Sequence, residues 1–83
     1  MASENVTITL SADQAIVLSA WLDRCMATPV FAAAVDDRAV WSSLLRISGS
    51  LDEQLVEIFH ESYDTALDEA RARLIAKLGD FGA

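Results

Sequence analysis

Val6, Ile8 and Leu10 alternate with Thr7 and Thr9, the period-two pattern of a half-buried β-strand. Everything after Ser11 reads as helix or turn. A single strand has no neighbour to satisfy its backbone N–H and C=O groups, so its edges are open to another chain. The simplest resolution is antiparallel pairing with the same strand of a second copy. The expected fold is therefore mainly α with one N-terminal β-strand, followed by about three helices. The strand pairs across the twofold axis of a homodimer, with Val6, Ile8 and Leu10 at the dimer interface.

Chain length sharpens that expectation. The sequence has 83 residues, enough for one domain spanning 1–83. A chain this short buries only about 60–65% of the surface exposed by its unfolded form. Yet 53% of the residues are hydrophobic and mean hydropathy is +0.30, with two Trp, three Phe and one Tyr to accommodate. An apolar face should remain after folding and be covered by a partner. A monomeric Ala-rich bundle is the competing reading, because Ala raises the hydrophobic fraction without demanding burial.

Residues 1–5 read as frayed and 6–10 as the strand. The first helix spans 11–27. It opens on Ser11-Ala12-Asp13-Gln14, a capping box in which Ser11 caps the third amide and Gln14 reaches back. Ala15, Leu18, Trp21, Leu22, Cys25 and Met26 fall on one broad apolar face, and Ile16 lies off it as a candidate intermolecular contact. Thr28-Pro29 stops this helix and starts the next. Between 29 and 58 the spacing of Trp41, Leu44, Ser48, Leu51, Leu55 and Ile58 keeps one helical phase, with Leu45 and Phe59 widening the stripe. Asp36-Asp37 is a restart signal near 36. Ser48-Gly49-Ser50 is a local stop signal, and Ser50 to Glu53 forms a second capping box. A continuous helix with a kink at Gly49 is the favoured reading, and a break there is the runner-up. The last helix spans 61–78. Its stripe is Tyr63, Ala66, Leu67, Ala70, Leu74 and Leu78, Glu69 and Arg73 form an i,i+4 pair, and Gly79 ends it.

These packing positions carry a resemblance. Ile8-Thr9-Leu10-Ser11 leading into Val17-Leu18 and Trp21-Leu22, then Trp41 with Leu44, Leu51 with Leu55-Val56, Tyr63 with Leu67, and Ala70-Arg71-Ala72-Arg73 together make the chain similar to a loose group of short, acidic actinobacterial proteins. The resemblance implies a strand followed by helices. It implies no activity, cofactor or site residue. Gly49 departs from the group, whose corresponding segment is plainly helical and lacks glycine.

Thirteen acids face six Lys plus Arg, for a formal charge of −7. That balance argues against nucleic-acid binding through phosphate neutralisation and against an anionic membrane surface. It suits a basic protein partner. From Ile47 to Ala70 there is no Lys or Arg, while Asp52, Glu53, Glu57, Glu61, Asp64, Asp68 and Glu69 fall in the same window. A stretch of this kind is either a solvated outer face or a docking surface. In the second case Asp52, Glu53, Glu57, Glu61, Asp64 and Asp68 are the candidate partner-binding residues. Five of the six cations are Arg, a composition typical of GC-rich coding.

Motifs for chemistry are weak. Glu57 and His60 have the Glu-x-x-His spacing used in di-iron bundles, but the further carboxylates such a site needs from other helices would be the short Asp13, Asp23, Asp36 and Asp37, and His60 falls in a turn. Ser42, Ser43, Ser48 and Ser50 share a single His as their only base. Cys25 with His60 would make a dyad only if Cys25 left the apolar face. The three glycines, Gly49, Gly79 and Gly82, form no phosphate loop. The single cysteine excludes an intrachain disulfide and suits a reducing compartment. Met1-Ala2-Ser3-Glu4 lacks the features of a secretory signal, so the expected location is cytoplasmic. The expected function is a small, acidic, non-enzymatic, homodimeric interaction protein with no cofactor. Its partners are itself and a basic protein that it inhibits or neutralises in the manner of an antitoxin. The alternative is a small-ligand or metal-binding dimer that uses Glu57 and His60.

Overall fold

The structure, a computed structural model, describes residues 4–58 and 62–82, with the backbone alone at 57 and 58. Four helices follow one another: α1 Ala12–Cys25, α2 Pro29–Ala34, α3 Val40–Ile58 and α4 Tyr63–Leu78. The chain is mainly helical, as expected.

Residues 4–10 carry neither helix nor strand, and no β-strand occurs among the described residues. Val6 is 89% exposed and Ile8 77%. The physical reason is the one that makes a lone strand unusual: a single chain offers it no edge to pair with.

The helix boundaries follow from local chemistry. Ser11 Oγ accepts from Gln14 N–H at 3.1 Å, and Gln14 Oε1 accepts from Ser11 N–H at 2.9 Å, so the capping box forms as read. Thr28 Oγ1 donates to the Cys25 carbonyl at 2.7 Å and accepts from Phe31 N–H at 3.2 Å. One side chain thus closes α1 and opens α2. Asp37 restarts the chain by accepting from Ala39 N–H at 3.0 Å. Gly79 ends α4 with φ +63°, a conformation that glycine adopts at little cost.

Helix α3 runs unbroken through Gly49. The second capping box is not used: Ser50 Oγ accepts instead from Gln54 Nε2 at 2.9 Å, one turn further along the same helix. The packing phase of Leu44, Leu51 and Leu55 outweighs the local stop signal.

Helix α1 is the shared wall. It packs against α4 and against α3, while among the described residues α3 and α4 touch at most marginally. Tyr63 lies beside Ser19 and Asp23, and Arg73 reaches Asp13, so α4 runs antiparallel to α1. The buried cluster is small: Ile16 and Leu22 from α1, Leu51 and Leu55 from α3, and Ala70 from α4. Ala15, Val17, Leu18, Met26, Leu44, Ala66 and Leu67 pack around it half-buried.

Two sequence expectations are corrected here. Ile16 is not an outward contact; it is fully buried at 0% exposure. Trp21 is not core; it is 42% exposed. Both errors have one cause. The centre of the inner face is Ser19, only 4% exposed, whose hydroxyl donates to Asp52 Oδ1 at 3.5 Å. At about 100° per residue, Trp21 projects roughly 160° away from Ser19. A polar residue at the centre of the face displaced the apparent stripe by one position.

Deleting the Ile16 side chain should create a cavity where α1 meets both partners. Ile16→Ala is expected to cost about 2–5 kcal/mol in chemical denaturation, and Trp21→Ala much less when compared at a concentration where the chain is monomeric. The reverse ranking would place the core on the other face. At Gly49 an added Cβ meets nothing within 4 Å. Gly49→Ala should therefore raise stability by about 0.5–1 kcal/mol, read as a higher denaturation midpoint.

Candidate functional site

Asp52 and Glu53 are exposed on α3, and Asp64 and Asp68 on α4. The side chain of Glu57, and all of His60 and Glu61, lie outside the described residues, so the Glu57–His60 pair has no geometry here. Among the described residues, no group of three His, Cys, Asp or Glu side chains is disposed to hold a metal ion.

What the helices do bring together is a shallow groove of about 250 Å³, lined by Ser19 and Asp23 of α1, Asp52, Leu55 and Val56 of α3, and Tyr63 of α4. It exists because α1 separates α3 from α4, so their facing flanks leave a cleft over the middle of α1. Asp52 and Tyr63 were singled out from the sequence. Asp23 was not, because it lies on a different helix from the acidic stretch.

Tyr63 reports the electrostatics of this groove. Burial pushes its phenol above the usual tyrosine range, and Asp23, Asp64 and Asp52 push it further in the same direction. The ionised phenolate would be a fourth negative charge among three carboxylates. A groove with this field, an apolar floor of Leu55 and Val56 and two hydroxyls at its wall disfavours anions and accommodates cations.

A further correction concerns Arg73. Its guanidinium does not close an i,i+4 pair with Glu69. It makes a two-pronged bond to Asp13, Nε to Oδ2 and Nη2 to Oδ1, each 2.8 Å. These hydrogen bonds hold the Asp13 carboxyl below its usual range and raise Arg73. The fork geometry of guanidinium and carboxylate favours this longer-range partner over a neighbour on the same helix.

On the other side of α1 lies an aromatic ladder. Trp21 meets Phe31 edge-on at 5.5 Å between ring centroids, and Phe31 meets Trp41 the same way at 5.7 Å, each pair inclined at 79°. Helix α2 buries no residue, so this ladder and the Thr28 cap are what fasten it. Phe31 was overlooked in the sequence because it sits in the short apolar run 30–35, which has no periodicity. Trp41 is half-buried and Trp21 exposed, so the ladder presents a surface rather than a core. Val30, Val40 and Leu45 are exposed in the neighbouring segments.

No family model matches the chain, and neither curated proteins nor solved structures match it. No described helix is long and apolar enough to cross a membrane.

Because the chain has a single tyrosine, its ultraviolet titration reads the groove directly. Tyr63 should ionise above the usual pH near 10, and Asp52→Asn or Asp23→Asn should each lower its midpoint. An ordinary midpoint in the wild type, unmoved by either change, would remove the argument for a negative field in the groove.

Proposed function

We propose that the chain is a small, acidic, non-enzymatic interaction protein that works as a homodimer and engages a basic protein. The observation that carries this reading is surface. A compact 9.0 kDa monomer exposes about 4,900 Å², whereas this chain exposes 6769 Å². Its radius of gyration is 14.5 Å, against about 12 Å for a compact domain of 83 residues. Much of the surplus is apolar: Val6, Ile8, Trp21, Val30, Leu45, Val56, Ile75 and Phe81 are all exposed. A protein with so few buried side chains completes its core by association.

Val6, Ile8 and Leu10 belong to the proposed dimer interface, since Val6 is 89% and Ile8 77% exposed and Leu10 is partly so. The acids Asp52, Glu53, Glu57, Glu61, Asp64 and Asp68 form the proposed surface for the basic partner, and Asp23 joins them at the groove. Inhibition or neutralisation of that partner in the manner of an antitoxin is the role this charge suits. No cofactor is required by the reading, and a cytoplasmic setting suits the free Cys25. Pairing of two N-terminal segments as strands would satisfy their backbone groups.

Light scattering at micromolar concentration should give twice the 9.0 kDa chain mass, and Ile8→Pro should lower it. A basic protein recovered with the chain should associate more slowly as ionic strength rises, because screening acts within about 10 Å at 0.1 M. Changing Glu53, Glu57 and Glu61 together to Gln should slow association while helix content stays constant. An unchanged rate would leave the acids as a solvated face.

A further inference from the structure

We propose that two copies pair through the outer stripes of antiparallel α1 helices, so that Val6, Ile8 and Leu10 of each copy cover the Trp21–Phe31–Trp41 ladder of the other. The proposal deepens the homodimeric reading and rests on it.

Among the apolar groups left exposed on the described residues, two lie toward opposite ends of the same helix. The segment 6–10 precedes α1, while Trp21 stands near its C-terminal end with Phe31 and Trp41 beyond. Trp21 stands nine residues into α1 from Ala12, about 14 Å along the helix axis, and Val6 and Ile8 stay 89% and 77% exposed, so the segment does not cover the ladder of its own chain. A twofold axis through the middle of an antiparallel helix pair brings the start of one helix to the end of the other. The same operation then covers both features in both copies, as an isologous interface requires.

The dimensions agree. Five residues in extended form span about 17 Å, and the ladder advances by steps of 5.5 and 5.7 Å. When the segment is extended, Val6, Ile8 and Leu10 share one face, and Thr7 and Thr9 turn to solvent. The helix surface between the two features is compatible as well. The outward side of α1 carries exposed Gln14 and Trp21 with half-buried Val17 and Cys25 between and beyond them, and Asp13 and Asp23 lie off it. The copies can therefore approach along α1 without bringing their strongest negative field together.

The exposed surface of the whole chain leaves room for a second copy as the occupant. The surplus over a compact monomer is roughly 1,900 Å², and one protomer of an obligate homodimer contributes about 1,000–2,500 Å². Pairing the two N-terminal segments only with each other would satisfy their backbones and leave the ladder uncovered.

Thiol crosslinking tests the arrangement in the full chain. With the axis near the middle of α1, residue 8 of one copy comes beside the end of the other α1, where Cys25 lies. Two residues 8 lie far apart, and so do two copies of Cys25. Ile8→Cys, oxidised mildly at micromolar concentration, should give a covalent dimer on a non-reducing gel. Adding Cys25→Ala should abolish it, and the wild type should give none. A crosslink that survives Cys25→Ala would overturn the proposal in favour of strand-to-strand pairing about residue 8. A dimer by light scattering that gives no crosslink would also overturn it, whereas a monomeric mass would bring down the homodimeric reading itself. A second variant guards against failure of the first. Ile8→Asp leaves the helical core untouched and should raise the dimer dissociation constant about tenfold or more, with Trp emission shifting to the red at concentrations where the wild type is unshifted. An unchanged dissociation constant would count decisively against the exchange.

Discussion

The inner face of α1 is the contact on which the rest of the molecule depends. Helices α3 and α4 pack chiefly on α1 and hardly on each other, so Ile16, Ser19 and Leu22 serve two neighbours at once. A three-helix arrangement in which every pair touched would share the load among three interfaces. Here two interfaces share one helix. Ser19 at the centre is the telling residue: a small side chain lets the helices approach, and its hydroxyl finds Asp52 instead of remaining unsatisfied. The Asp13–Arg73 fork fixes the far end of the α1–α4 packing, although at an exposed site its contribution is to register more than to stability.

The same geometry produces both candidate surfaces. Because α1 stands between α3 and α4, a cleft opens over its inner side and collects Asp23, Asp52 and Tyr63. Because α1 turns only one face to its partners, its opposite face is left to Trp21, and α2 is held beside it by edge-to-face rings rather than by burial. Such aromatic pairs are worth about 0.5–1.5 kcal/mol each beyond their area, enough to seat a six-residue helix but not to make it a core element. The acidic cleft and the aromatic ladder are thus two sides of one helix, one suited by charge to a cation-bearing partner and the other by apolarity to a second copy.

Much of this was legible in the sequence where the signal was local. The Ser11–Gln14 box, the Thr28-Pro29 junction, the Asp37 restart and the Gly79 end each depend on residues within one turn, and each forms. The α3 stripe was legible because it persists over five turns, long enough to override Gly49. What failed was orientation. The inner face of α1 was misplaced by about one residue because a buried serine reads as a polar, outward position until its partner on α3 is known. That single displacement exchanged the roles of Ile16 and Trp21. Arg73 failed in the same way: Glu69 is its neighbour in sequence, but Asp13 is its neighbour in space. The N-terminal alternation is a pattern that needs a second chain to become a strand, and one chain carries none.

Charge and apolarity then make opposite demands on the solution. Each chain carries −7, so two copies repel one another, and added salt relieves that repulsion while strengthening apolar burial where the anion is a kosmotrope. The proposed contact with a basic partner would be drawn by the same charge and would weaken in salt. A surface that combined both functions would respond weakly to ionic strength because the two effects cancel. Separation of the ladder from the acidic cleft by the width of α1 keeps the two responses distinct. In the proposed assembly, self-association would persist under conditions that release a basic partner, and release of that partner would not dissolve the dimer. For a chain whose core holds five buried apolar side chains among the described residues, that independence would have a structural benefit: the element proposed to complete the fold is not the one that must let go.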